Sequence, residues 1–344
     1  MIISAPDLKR LLKSVSAKGD VLLDSKLGTI TSISPELTIS ARTANFVSRN
    51  PFVILTDGRK LFQVVARMSG EIAIHLDDAA LVLKSARATV KLETKPAKPF
   101  VAPATKDATI LPLPEVKSLL AYTSVSVSKN IAEQFGGVVK LTAKDGVLQA
   151  AGTDGARLAL AKTVCTGYFV LDLTIPMSAV QALVNLEGDT VEVESTDRYL
   201  HFYANSVDIY ANRVSREYPN YQSFIPKSFG VKYRVDADMF KNALLTVRPL
   251  VSDQGEPGIA VHFLDNVVTV TDLAGAATDQ ADYVQLEPDE NFEPTPATIK
   301  VNIDHLLSFF ANISGPVSIS LNGPRQPIWI EAGTKRMLLA VLAS

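Results

Sequence analysis

The sequence predicts an α+β chain made of three repeated domains, each with two helices packed on a β-sheet. Three observations predict it. First, the order helix, strands, helix, strands runs through the 344 residues three times. Second, a glycine follows the second helix of each round, at Gly70, Gly188 and Gly315. The period is therefore roughly 120 residues, domain-sized, where a solenoid repeats every 20–50. Third, two proline-bearing stretches separate the rounds, TKPAKPFVAPATKD (Thr94–Asp107) and YPNYQSFIPKSFG (Tyr218–Gly230). Proline there favours extended linkers over sheet interior. The expected domains are 1–105, 106–226 and 227–344.

The elements follow in order. In DLKRLLKSV, Leu8, Leu11, Leu12 and Val15 fall on one helical face. VLLDS, LGTITSI and LTISART read as strands. DGRKLFQVVARMSG is the second helix, with Leu61, Phe62, Val65 and Met68 on one face and Gly70 closing it. EIAIHL, ALVLKS and ATVKLET alternate as strands do. The second round opens on LPEVKSLLAYTSVSVS. It continues through GGVVKLTAKDGVLQAAGTDGARLALAK, which is strand, Asp-Gly turn, strand, Asp-Gly turn, strand. PMSAVQALVNLEG is its second helix, and DTVEVES, YLHFYAN and VDIYANRV are strands. The third round has helices in DADMFKNALLTVRPLV and VNIDHLLSFFANISG, with strands in GIAVHFLDNVVTVTDLAG, PVSISLNG, PIWIEAG and KRMLLAVL. A sheet covered by helices on one face keeps exposed strand edges, and pairing between repeats or between chains would remove them.

Composition narrows the class. Nearly half the chain is apolar, enough for a substantial core. Lys and Arg number 34 against 36 Asp and Glu, so whole-chain charge does not announce a nucleic-acid partner. Cys165 is the only cysteine, which excludes an intramolecular disulfide and suits a reducing compartment. No apolar run approaches the roughly 18 residues of a membrane span, and the N-terminus lacks a signal-peptide pattern. A cytoplasmic protein is expected, without membrane attachment.

No catalytic motif is present: neither a phosphate-binding G-x-x-x-x-G-K-[ST] loop, nor G-x-S-x-G, nor H-E-x-x-H. His75, His201, His262 and His305 stand singly, without metal-ligand spacing, and read as surface or satisfied histidines. Cys165 reads as a small buried apolar residue. Asp154 belongs to an Asp-Gly hairpin turn rather than to an acid–base pair. No catalytic residue, metal site or cofactor is expected. An enzyme using Asp154 and Arg157 is the reading these residues favour least.

Positive charge is uneven. The first round's helices carry Lys9, Arg10, Lys13, Arg59, Lys60 and Arg67. The later rounds add Lys117, Lys129, Lys241 and Arg248 more thinly, while acids gather around Glu187–Asp197 and in LEPDENFEP at Leu286–Pro294. An ordinary solvated helix face is one reading, and a phosphate-binding surface is the other.

With these features in hand, the chain resembles the bacterial DNA polymerase III beta subunit family, the sliding clamps. GTDGARLALA is similar to the family's Thr-Asp-Gly-His-Arg-Leu-Ala motif, and REYPNYQSFIP to its linker motif Phe-Pro-Asp-Tyr-x-x-x-(Ile/Leu)-Pro. DDAALVLKSARATVKLET matches the close of the family's first domain, and MLLAVLAS stands where its short apolar tail lies. Ala156 replaces the usual histidine, Ala340 and Val341 replace a frequent Met-Pro, and the stretch after the first helix is shortened. The resemblance is to a divergent member, with a bacterial and a bacteriophage origin both open.

The resemblance implies a non-catalytic processivity factor. Two chains would close head to tail into a ring of six domains around double-stranded DNA, held without sequence preference. The DNA-facing residues it implies are Lys9, Arg10, Lys13, Arg59, Lys60, Arg67, Lys117, Lys241 and Arg248. The implied homodimer interface brings Val90 and Leu92 of one subunit to Leu250 and Val251 of the other, although all four also read as core. The implied partner-peptide groove takes one wall from Phe135, Thr153, Gly155, Arg157 and Leu158. Pro219 and Phe224 come from the linker, and Leu338, Ala340, Val341 and Leu342 from the tail. DNA polymerase, the clamp loader and other proteins carrying a clamp-binding motif are the implied partners. A clamp-like interaction scaffold that has lost DNA loading is the alternative.

Overall fold

The computed structural model describes residues 1–17, 19–103, 108–167, 170–252, 255–264, 266–286 and 297–342, with the backbone alone for 282–286. Most of the acidic LEPDENFEP stretch therefore lies outside the described residues. Six helices are present among them: α1 (Ala5–Ser14), α2 (Gly58–Arg67), α3 (Leu113–Ser124), α4 (Met177–Val184), α5 (Ala237–Val247) and α6 (Ile303–Phe310).

Each helix starts directly at the end of a strand, a feature the sequence reading missed. Ile2–Ser4, Val53–Asp57, Thr109–Pro112, Leu171–Pro176, Val231–Asp236 and Ala297–Asn302 run straight into α1 to α6 in turn. The junction residue caps four of them. Ser4 Oγ accepts from Asp7 N–H at 3.2 Å, and Asp57 Oδ1 accepts from Lys60 N–H at 2.9 Å. Asp236 accepts from Asp238 and Met239, and Asn302 from Asp304 and His305. Each cap satisfies amides that the first turn cannot, worth about 1 kcal/mol. The second helices end before the glycines that the sequence assigned as their stops: α2, α4 and α6 finish at Arg67, Val184 and Phe310. Gly70, Gly188 and Gly315 sit a few residues later with φ of +72°, +128° and +75°, turning the chain into the next strand.

Two compact units can be described. They comprise Met1–Ser118 with Leu173–Ser215, and Leu119–Asp172 with Arg216–Ser344, so the segment expected as a second domain contributes to both. The first unit holds a four-stranded sheet in the order Ile2–Ser4, Glu71–Asp77, Ala80–Lys84, Thr89–Glu93. It also holds a nine-stranded one: Thr109–Pro112, Thr190–Ser195, Tyr199–Ala204, Val207–Asn212, Leu37–Arg42, Thr29–Ile33, Asp20–Asp24, Val53–Asp57, Lys95–Pro96. Its middle joins two rounds of the sequence, because Val207–Asn212 pairs antiparallel with Leu37–Arg42, Ile209 opposite Ile39. Leu8, Leu11 and Leu12 of α1, and Leu61 and Val65 of α2, are buried.

The second unit repeats the device. Arg157–Val164 pairs with Lys335–Leu339, Leu158 opposite Leu338, joining the second and third rounds. The order then runs through Ile328–Ala332, Pro316–Leu321, Val231–Asp236 and Thr278–Leu286 to Val267–Asp272, Gly258–Leu264 and Ala297–Asn302. In its core Phe240 of α5 meets Phe310 of α6 edge-on, centroids 5.2 Å apart, and Phe309 packs against Phe310 at 5.1 Å. Cys165 is a buried free thiol, as its sequence context suggests.

Candidate partner groove and basic helix face

The hairpin at Thr153–Arg157 owes its shape to short polar side chains bonding the backbone. Asp154 Oδ1 accepts from the N–H groups of Ala156 and Arg157, at 3.1 and 2.9 Å. Thr153 Oγ1 donates to Arg157 O at 2.6 Å and accepts from Gly155 N–H at 3.1 Å. Gly155 has φ +86°, a conformation that an L side chain resists. A Cβ there would lie 3.1 Å from Cζ of Phe135, so the turn and the Phe135 ring touch. The loop bearing Phe135 is held from behind by Arg216, which donates to the carbonyls of Ile131 and Gly136.

Arg157 is spent inward. Its Nε donates to Asp154 Oδ2 at 2.9 Å, Nη1 to Ser308 Oγ at 2.5 Å and Nη2 to Val125 O at 2.7 Å. Its side chain is 13% exposed. It braces the turn rather than offering a free cation. Nearby His305 has its pKa lowered, first by burial and then by the positive charge of Arg157. Its Nδ1 is buried without a hydrogen-bond partner.

Beside this turn lies a groove of about 410 Å³. Phe135, Thr153, Gly155, Ala156, Arg157 and Leu158 line one side, Pro219, Tyr221 and Phe224 another, and Pro327, Leu338 and Ala340 a third. The apolar cluster around it contains Ala151, Leu158, Leu160, Tyr221, Trp329 and Leu338, backed by Tyr218, Ile225 and Phe229. The tyrosine hydroxyls are satisfied within the fold. Tyr221 Oη accepts from Gln149 Nε2 at 2.8 Å, and Tyr218 Oη donates to Ala151 O at 3.2 Å. Burial raises both phenol pKa values, so both stay neutral donors or acceptors. Phe224 stands 65% exposed, a large apolar ring that the fold leaves to solvent.

The tail divides. Leu338 and Ala340 line the groove, and Ala340 N–H donates to Ala156 O at 2.8 Å, extending the strand pairing past Leu339. Leu342 turns elsewhere: its N–H donates to Lys300 O at 2.8 Å, and its Cδ1 lies 2.8 Å from where a Cβ of Gly258 would stand. Val341 and Leu342 are half-buried and do not line the groove. Ala156 does, where the family's usual histidine would stand, and so do Gln134, Tyr221 and Pro327, which the sequence reading did not place there.

The cationic residues also divide. Arg10, Lys13, Arg59, Lys60 and Arg67 are exposed on α1 and α2. Lys9, Lys117 and Lys241 are half-buried and donate to backbone carbonyls of Met68, Leu186 and Ala311 at 3.0, 2.6 and 3.2 Å. Arg248 grips Asp304 with two bonds, Nε–Oδ1 at 2.7 Å and Nη2–Oδ2 at 3.1 Å. Of the residues expected at a subunit interface, Val90 and Leu92 are half-buried on Thr89–Glu93, the end strand of its sheet. Leu250 is 59% exposed, whereas Val251 is buried. Among the described residues there is no cluster of His, Cys, Asp and Glu able to hold a metal, and no helix long and apolar enough to cross a membrane.

No protein-family profile matches the chain. The beta sliding clamp of Caulobacter vibrioides is 22% identical over 284 residues, covering 77% of this chain and 74% of that protein. The DNA polymerase III beta subunit of Thermotoga maritima superposes with a TM-score of 0.90 at 16% identity, covering 100% of this chain and 99% of the other. A Pseudomonas aeruginosa sliding clamp bound to griselimycin superposes with a TM-score of 0.87 at 16% identity and the same coverage. The fold is therefore the sliding-clamp fold from end to end.

Proposed function

We propose that this chain, a divergent relative of the bacterial beta sliding clamps, is itself a DNA sliding clamp. Two copies close head to tail, each supplying domains 1–105, 106–226 and 227–344, with the helices toward the duplex and the sheets outward. The chain does no chemistry. It tethers the replicative polymerase, the clamp loader and other proteins by raising their local concentration at the DNA. Hold on DNA comes from encirclement, while sequence-independent phosphate contacts let the ring slide.

One observation carries the reading: the apolar groove of about 410 Å³, with the exposed ring of Phe224 at its side, on a chain that shares the clamp fold throughout. A concave, mostly apolar site whose polar groups are already satisfied suits a short apolar peptide in extended form. Thr89–Glu93, an end strand carrying Val90 and Leu92, supports the subunit junction, together with exposed Leu250. The test is retention on nicked circular DNA before and after linearisation. Release on linearisation is expected; equal retention on both forms, or a strictly monomeric mass with a loader present, overturns the reading. A scaffold without DNA loading predicts peptide binding and no retention on either form.

A further inference from the structure

Lys9, Lys117 and Lys241 hold the same position, the fifth residue, of α1, α3 and α5. Each ammonium donates to a carbonyl at the far end of the second helix of its own round. Met68 and Ala311 are the C-terminal caps of α2 and α6, and Leu186 directly follows Asn185, the cap of α4. Those carbonyls lack partners within their helices and carry the negative end of the helix dipole, so a lysine there ties one helix to the next. Arg248 is likewise occupied by Asp304.

What remains free is unequally shared. α1 and α2 expose Arg10, Lys13, Arg59, Lys60 and Arg67. Among the described residues, only Arg10 and Lys60 of these have acidic partners, at 3.4 and 4.0 Å, in exposed pairs too weak to hold them back. Arg10 also lines a polar cleft of about 250 Å³ with Ser14, Arg42, Thr43 and Ser206, with Glu187 beside them. α4 has no charged residue, and Lys129, an exposed lysine of the second round, lies on the loop after α3. Apart from tied Lys241, α5 and α6 present Asp238, Asp304 and His305.

We infer that the α1–α2 face of the first repeat is the principal phosphate-binding surface, and that the α5–α6 face does not hold DNA. The duplex leans on one repeat of each chain rather than contacting the lining evenly. Charge complementarity selects the occupant: exposed cations without strong partners, set on rigid helices, fit the regularly spaced phosphates of a duplex. This rests on the clamp reading and adds to it where on the lining the DNA sits.

The experiment measures binding of the full chain to a labelled duplex across a salt series, with the thermal midpoint of each variant. The slope of log affinity against log salt reports phosphate contacts at about 0.9 per contact. Lys13→Glu with Arg59→Glu and Arg67→Glu is expected to flatten the slope by about 2 to 3 and leave the midpoint unchanged. Lys117→Met and Lys241→Met, made singly, are expected to keep the slope and lower the midpoint. An unchanged slope in the triple variant overturns the inference, as does a Lys241→Met slope change as large as the triple's, or no binding by the unmodified chain. Release on linearisation, seen together with an unchanged triple-variant slope, overturns the inference alone. Equal retention on circular and linear DNA overturns the clamp reading alone when the triple variant still flattens the slope.

Discussion

Asp154 accepts from Arg157 twice, from its backbone N–H at 2.9 Å and from its Nε at 2.9 Å. One carboxylate thus closes the hairpin and aims the guanidinium at Ser308 and Val125. Asp154→Ala removes both functions and leaves a largely buried cation short of its counter-charge. A loss of about 1–3 kcal/mol in chemical denaturation is expected, with weaker binding of a short apolar peptide.

Gly155 and Phe135 form the second sensitive contact. Gly155→Ala must accept φ +86° and displace a ring 3.1 Å away. The backbone strain costs about 1–2 kcal/mol, and the displaced ring reshapes one wall of the groove. Peptide affinity should fall more than it does for Ala156→Gly, whose φ is unconstrained by that contact; calorimetry on the two variants compares them.

His305 makes stability depend on pH. Its folded pKa lies below the ordinary 6.5, because burial and Arg157 oppose the charged form. At pH above 6.5 both folded and unfolded chains hold it neutral and it has no effect. As pH falls below 6.5 the unfolded chain takes up a proton that the folded chain resists, so stability falls. The decline stops once pH passes the folded pKa. The thermal midpoint of His305→Gln should lose less on acidification than that of the unmodified chain.

The proposed subunit junction separates two neighbours. Leu250→Asp should shift the solution mass from dimer toward monomer with the thermal midpoint little changed, since Leu250 is 59% exposed. Val251→Ala should instead lower the midpoint by creating a cavity, because Val251 is buried. Sedimentation and thermal melts distinguish the two behaviours.

The repeat could be read in the sequence because helix periodicity and glycine at positive φ are local properties, visible at Leu8–Leu12 and at Gly70. The Asp-Gly turn was legible for the same reason. The groove was legible only in part. Trp329 and Leu160 are buried apolar residues on strands, and alternation alone cannot say which apolar residues meet around a cleft. Leu342 shows the converse, an apolar tail residue that packs toward Gly258. The tied lysines were illegible as such: a four-carbon stem reaches a carbonyl dozens of residues away, and no spacing along one helix records it.

The ties between helices also sort the lysines by their accessibility to a reagent. An amine that donates to a helix-end carbonyl is half-covered and its nitrogen is engaged, and an acylating reagent needs that nitrogen open. Acetyl groups should collect first on Lys13 and Lys60, which are exposed, and last on Lys9, Lys117 and Lys241. Mild acetylation would then lower the positive charge of one helix pair while leaving the scaffold intact, turning a property of three half-covered contacts into a chemical handle on the surface beside them.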